Sequence, residues 1–241
     1  MSLITPTRER NQYVVSYITL RRSVGWLGIA LPAVLIIGFA VIHSSCPTPP
    51  SISHYYYTVL GSYFTGTLCA VALFLFAYNG PAPADRIAAF FAACCALGVV
   101  FCPTDAFCAC DGICNLVDLP ANKARNTAHY TFASLLFATF AFFSLVLFTQ
   151  THPNRAKEKT HQKKIRNGIY YVCGALILVS IACIGILNIK GIKKPEWITN
   201  FKLWTFVFET SALFAFGISW LVKGEMIFPD PKKQIKPSIL K

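Results

Sequence analysis

Phe201 to Val222 reads FKLWTFVFETSALFAFGISWLV, and it holds Glu209, the only formally charged residue buried deep in any long apolar run of this chain. A carboxylate at membrane depth costs several kcal/mol when ionised, so such residues usually face the interior of a helix bundle and mark candidate functional sites. The run is long enough, at about 1.5 Å per residue, to cross a hydrocarbon core of roughly 30 Å. Five more runs share that property, near residues 24–43, 55–78, 87–104, 128–150 and 169–189. Backbone polar groups in lipid must be satisfied within the segment, so each run is expected to be a helix.

Composition agrees. The 241 residues are 55% hydrophobic and 13% charged, with a mean hydropathy of +0.52, far too apolar for an ordinary soluble domain. The net charge of +12 does not point to nucleic acid, because the Lys and Arg residues lie between apolar runs and form no stripe interleaved with stacking aromatics. The expected fold is all-α: a polytopic membrane protein with six transmembrane helices. The start of the chain, MSLITPTRERNQYVVSYITLRR, lacks the pattern of a cleaved leader, so span one is expected to be retained.

Counting Lys and Arg orients the bundle. The N-terminal tail, the 79–86 and 151–168 loops and the tail from Lys223 together hold 16, and the other side holds 6. That imbalance places both termini in the cytoplasm of a plasma membrane such as a bacterial inner membrane. Tyr55, Tyr56, Tyr57, Trp197 and Trp204 then fall at the outer boundary, and Trp26, Tyr78, Tyr170, Tyr171 and Trp220 at the inner one, as an interfacial belt requires. The domain division is 1–23, a cytoplasmic segment that could form an interfacial helix capped by Thr5 with Pro6 in its first turn; 24–222, the transmembrane domain; and 223–241, a basic cytoplasmic tail. Pro32 is expected to kink span one. Small residues at helical spacing, Gly61 with Thr65, Ser62 with Gly66, Ala92, Ala93, Ala96 and Ser211, Ala215, Ser219, are expected packing surfaces.

This frame gathers polar residues at the outer face. His43 ends span one, His54 opens span two, Asp105 follows span three, His129 opens span four, and Glu209 lies about 12 Å below the outer boundary. One reading is an outward-facing pocket binding a lipid headgroup or small ligand through Ser53, His54, Tyr57, His129 and Glu209. A second makes the site a metal-dependent lipid hydrolase, with Glu209 or Asp105 as catalytic base and His54, His129 and Asp105 as candidate zinc ligands. A third uses Glu209 in proton-coupled transport. The plain structural reading is that the histidines are interfacial and Glu209 is a hydrogen-bonding link between helices. The partners expected are the bilayer and a lipid or small molecule.

The stretch PPSISHYYYTVLGSYF adds a helix start at which Ser51 or Ser53 can cap, with His54, Tyr57, Gly61 and Thr65 on one face. In the neighbouring outer loops Cys46, Cys102, Cys108, Cys110 and Cys114 are disulfide candidates in an oxidising compartment, and the CxCxxxC spacing could alternatively hold zinc. Cys69, Cys94, Cys95, Cys173 and Cys183 lie within spans and read as packing. No phosphate-binding glycine loop or GxSxG elbow occurs.

At Pro50-Ser51-Ile52-Ser53-His54-Tyr55, followed by an apolar helix ending in Phe76-Ala77-Tyr78-Asn79-Gly80, the chain resembles uncharacterised six-helix bacterial membrane proteins of the broad DRAM/Sfk-like type. The resemblance implies the six-span layout and transfers no catalytic residue. The chain is also similar to the alkaline-ceramidase and progestin-receptor-like superfamily in gathering His, Asp and Ser at one membrane face. It departs from that group in having six expected spans instead of seven and no HxxxH in its last helix.

Overall fold

The computed structural model describes residues 6–42, 46–106, 119–150, 161–189 and 203–229, and within the first helix the side chains from Tyr17 onward. All regular secondary structure among the described residues is helical, with no strand. Six α-helices follow in order: α1 Pro6–Ile42, α2 Gly61–Phe76, α3 Pro83–Phe101, α4 Lys123–Phe142, α5 His161–Asn188 and α6 Trp204–Lys223. A 3-10 turn, Ile52–Tyr57, precedes α2, and a π-helical turn, Phe143–Leu147, extends α4. Each helix packs on the next, and α6 packs back on α1, which closes the six into a ring.

Five of the helices are long and apolar enough to cross a membrane. The sixth apolar segment differs from the expected span over 55–78. It is divided into the 3-10 turn and a 16-residue α2, about 24 Å long. The break is built from backbone: the Tyr55 carbonyl accepts from both the amide and the hydroxyl of Thr58, and the Gly61 amide donates to the Thr58 carbonyl. A Cβ at Gly61 would collide with the Tyr56 carbonyl oxygen, so this reversal requires glycine. Hydropathy alone cannot register such a break, because Tyr55, Tyr57, Val59 and Leu60 are as apolar as the helix they precede.

The N-terminal end also differs in form. One 37-residue helix covers both the segment expected at the cytoplasmic surface and span one. Pro6 is its first residue and Pro32 lies within it, and no stop signal separates Tyr13 from Trp26. Thr5 and His43 lie outside the described residues.

An aromatic stack fills the ring near the end that carries Arg21 and Lys223. Phe140 and Phe216 stack at 3.7 Å between centroids, and Trp220, fully buried, packs against Tyr78, Phe143 and Phe148. Two hydroxyls cross this apolar layer as a pair, with Ser144 Oγ donating to Ser219 Oγ at 3.0 Å. Around it the Arg21 guanidinium lies 4.0 Å from the Tyr17 ring centroid, the Lys223 ammonium donates to the Phe148 carbonyl, and Arg22 donates to the Gly224 carbonyl. These contacts lock the α1, α4 and α6 ends together where the cations cluster.

The small-residue surfaces sort themselves by contact. Ala92, Ala93, Ala96 and Ser219 are fully buried, and Ala215 nearly so, but Gly66 faces open space. Gly25 and Gly28 of α1 pack tightly against Gly217 and Phe216 of α6, with backbone facing backbone at Gly25 and Gly217.

Candidate functional site

The opposite end of the ring is plugged by the 3-10 turn, which touches α1, α2 and α6. Glu209 enters this plug from the second turn of α6. Its Oε2 accepts the Ile52 amide at 2.6 Å, and its carboxylate also accepts the Ser51 hydroxyl. Ser51 is 6% exposed and does not cap the turn with its side chain; it is spent on the site. Ser51 Oγ also lies 2.8 Å from His54 Nδ1. Glu209, Ser51 and His54 therefore form one hydrogen-bonded chain. Burial pushes the His54 pKa down to about 4, with the neighbouring His129 acting in the same direction, so His54 is neutral at physiological pH.

His129 reaches the same turn from the second turn of α4. It is 2% exposed and has a partner on each ring nitrogen. Nδ1 lies 2.8 Å from the Cys102 carbonyl oxygen, which can only accept, so Nδ1 carries the proton. In the neutral ring Nε2 is then the acceptor, and Ser53 Oγ, 3.0 Å away, donates to it. Two serines in alternate positions of Ser51-Ile52-Ser53-His54 are thus each paired with one imidazole.

The rim is a separate cluster. Asp105 bonds Arg125 at 3.3 Å and accepts the Asn122 amide at 3.1 Å. Arg125 also donates to the Pro103 and Pro120 carbonyls, which ties the exit of α3 to the entry of α4. Asn126 accepts the Thr104 hydroxyl at 2.9 Å, and the Tyr57 hydroxyl donates to the Thr104 carbonyl.

Ser53, His54, His129 and Glu209 are therefore brought together by the turn, with Glu209 linked to His54 through Ser51. Tyr57 is not at an opening: its side chain is fully buried and holds the turn to the end of α3. Asp105 is neutralised by Arg125 and does not join the histidines. The zinc expectation fails on its donor set, since His129 has both nitrogens engaged and Asp105 faces a guanidinium; among the described residues no group of three His, Cys, Asp or Glu side chains could hold a metal ion. The four-residue face expected from His54 to Thr65 is broken by the bend at Thr58–Gly61.

Ser51 and the Ile52 amide are the residues that sequence reasoning missed as ligands of Glu209. The signal was the three-residue separation of Ser51 and His54, which any tight helical turn brings onto one side. Of the disulfide candidates, Cys46 is disulfide-bonded and Cys102 is a free thiol, and Cys108, Cys110 and Cys114 lie outside the described residues. Two surface grooves, one along α4 from Lys123 to Phe132 and one between α3 and α4 bounded by Ile87, Phe91, Leu135 and Phe142, are lined by none of the cluster's residues.

No family model matches the chain, and no curated protein or solved structure matches it either.

Proposed function

We propose that this is a six-span plasma-membrane protein, both termini cytoplasmic, whose outer end binds a lipid headgroup or small ligand at the Ser51–Ser53–His54–His129–Glu209 cluster. The observation that carries the reading is the company Glu209 keeps. The carboxylate is held by a hydroxyl and a backbone amide of one turn, and no ion pair to it occurs among the described residues. Each carboxyl oxygen carries two lone pairs, and these contacts leave part of that acceptor capacity free. The complementary ligand is one that brings donors, such as a headgroup ammonium or hydroxyl. The tyrosines around the turn and the basic inner loops support the orientation, because both match the boundary each would face.

The metal-dependent hydrolase reading has lost its ligand set. Transport through Glu209 has no specific contact in its favour beyond the carboxylate itself.

The test is thermal stabilisation of the detergent-purified chain by short-chain phosphatidylethanolamine against short-chain phosphatidylglycerol. Ethanolamine lipid is expected to raise the melting temperature more than glycerol lipid, and Glu209→Ala is expected to remove the difference. Equal stabilisation by the two lipids, or a difference that survives Glu209→Ala, would refute the assignment.

A further inference from the structure

We infer that Ser53 and His129 form a metal-independent acyl-transfer pair acting on a carboxylic ester of a membrane lipid, an inference that rests on the lipid-binding reading of the same site. Three observations combine. The Ser53 hydroxyl lies 3.0 Å from His129 Nε2, within the reach a base needs to take its proton. The other ring nitrogen is fixed by the Cys102 carbonyl at 2.8 Å, which holds the tautomer whose Nε2 lone pair faces the serine and steadies the ring. His129 is 2% exposed, but Ser53 is only half-buried, so the nucleophile is the more accessible member of the pair.

Depth selects the substrate. His129 is six residues into α4, about 9 Å along its axis from Lys123. His129 also opens the apolar run that begins near residue 128, so it stands at the level where headgroup gives way to hydrocarbon and where the ester carbonyls of a glycerolipid lie. Ser51 is less accessible than Ser53, being only 6% exposed.

The step balances with water as the only co-reactant. Ser53 Oγ bonds to the ester carbonyl carbon as its proton passes to His129 Nε2. The carbon–oxygen bond to the alcohol then breaks, and the alcohol leaves with that proton. Water adds to the acyl-serine, gives a proton to Nε2 and releases the fatty acid, and the proton returns to Ser53. His54 and Glu209 remain on the ligand-binding side of the turn and are not asked to move a proton in this sequence.

A fluorophosphonate probe tests the pair directly, since it leaves a phosphonyl group on an activated serine and releases fluoride. Applied to the full-length chain in detergent, it is expected to label Ser53, shown by peptide mapping. Ser53→Ala is expected to abolish labelling, and His129→Gln to slow it at least 100-fold. Melting temperature and circular dichroism establish that each variant is folded. Absence of labelling in the folded parent between pH 6 and 9, labelling that persists in Ser53→Ala, or an unchanged rate in folded His129→Gln would overturn the inference. Lipid stabilisation measured on Ser53→Ala separates the two readings: retained stabilisation with an unlabelled parent removes acyl transfer alone, and loss of both removes the site.

Discussion

Replacing Gly217 by alanine tests the closure of the ring, on which the position of Glu209 depends. A Cβ there would lie 2.6 Å from Ile29 Cγ1, 2.7 Å from the Gly25 carbonyl oxygen and 2.9 Å from the Ile29 amide nitrogen. Carbon atoms prefer separations of about 3.5 to 4.0 Å, so α1 and α6 must part by roughly 0.5 to 1 Å. Two of the three obstacles are backbone and cannot rotate aside. Overpacking of this kind costs about 1 to 3 kcal/mol, and removing a helical glycine returns about 1 kcal/mol. With the backbone clash placing the cost in its upper range, the net loss is about 1 to 2 kcal/mol. For a chain of this size that is a fall in melting temperature of about 2 to 8 °C. Gly66→Ala is the matched control: nothing lies within 4 Å of its added methyl, so the same substitution is expected to raise the melting temperature by about 2 to 4 °C. Scanning fluorimetry in one detergent gives both numbers. Gly217→Ala at or above the parent, with Gly66→Ala behaving as stated, would refute the close α1–α6 crossing.

Three further predictions concern the end that carries the 3-10 turn. His54 has a pKa near 4 in the folded chain against about 6.5 when unfolded, so the unfolded state binds the proton more readily between those values and stability falls as pH drops from about 6.5 to 4. Melting temperature against pH is expected to show that decline in the parent and a flatter profile in His54→Gln; identical profiles would contradict the burial of His54. Arg125→Ala is expected to cost about 1 to 3 kcal/mol, because it removes donors from the Pro103 and Pro120 carbonyls as well as from Asp105. Asp105→Asn is expected to cost under about 1 kcal/mol, since Asp105 is 36% exposed and the ion pair is screened; the reverse order in chemical denaturation would sink that assignment. Alkylation before reduction, followed by peptide mapping, is expected to modify Cys102 and to spare Cys46. Modification of Cys46 without reductant would count against an oxidising environment at this end.

Long apolar runs made most of the helices legible, because in lipid the backbone has one way to satisfy itself and length decides the rest. The exception was the run from Tyr55 to Tyr78. Its hydropathy is continuous, but the fold interrupts it at Gly61 through a steric requirement that hydropathy does not carry. The close α1–α6 approach was equally hidden. Gly25, Gly28 and Gly217 matter through the backbone atoms opposite them, and a spacing rule applied to one helix cannot see its neighbour. Gly66 shows the converse, a small residue at suitable spacing with nothing packed on it.

The site divides along the same line. Residue number gives depth along a helix, and depth was enough to collect Glu209, His54 and His129 at one level. What joins them is the interruption of span two. A regular helix through 52–57 would have satisfied the Ile52 amide only by leaving it at a helix start facing water, and would have turned Ser51, Ser53 and His54 by 100° per residue around one axis. The tighter turn instead presents the Ile52 amide and Ser51 to α6 while Ser53 faces α4. The same backbone departure that shortens α2 therefore supplies the carboxylate with its donors and the buried imidazole with its hydroxyl, so the structural irregularity and the chemistry have a single cause.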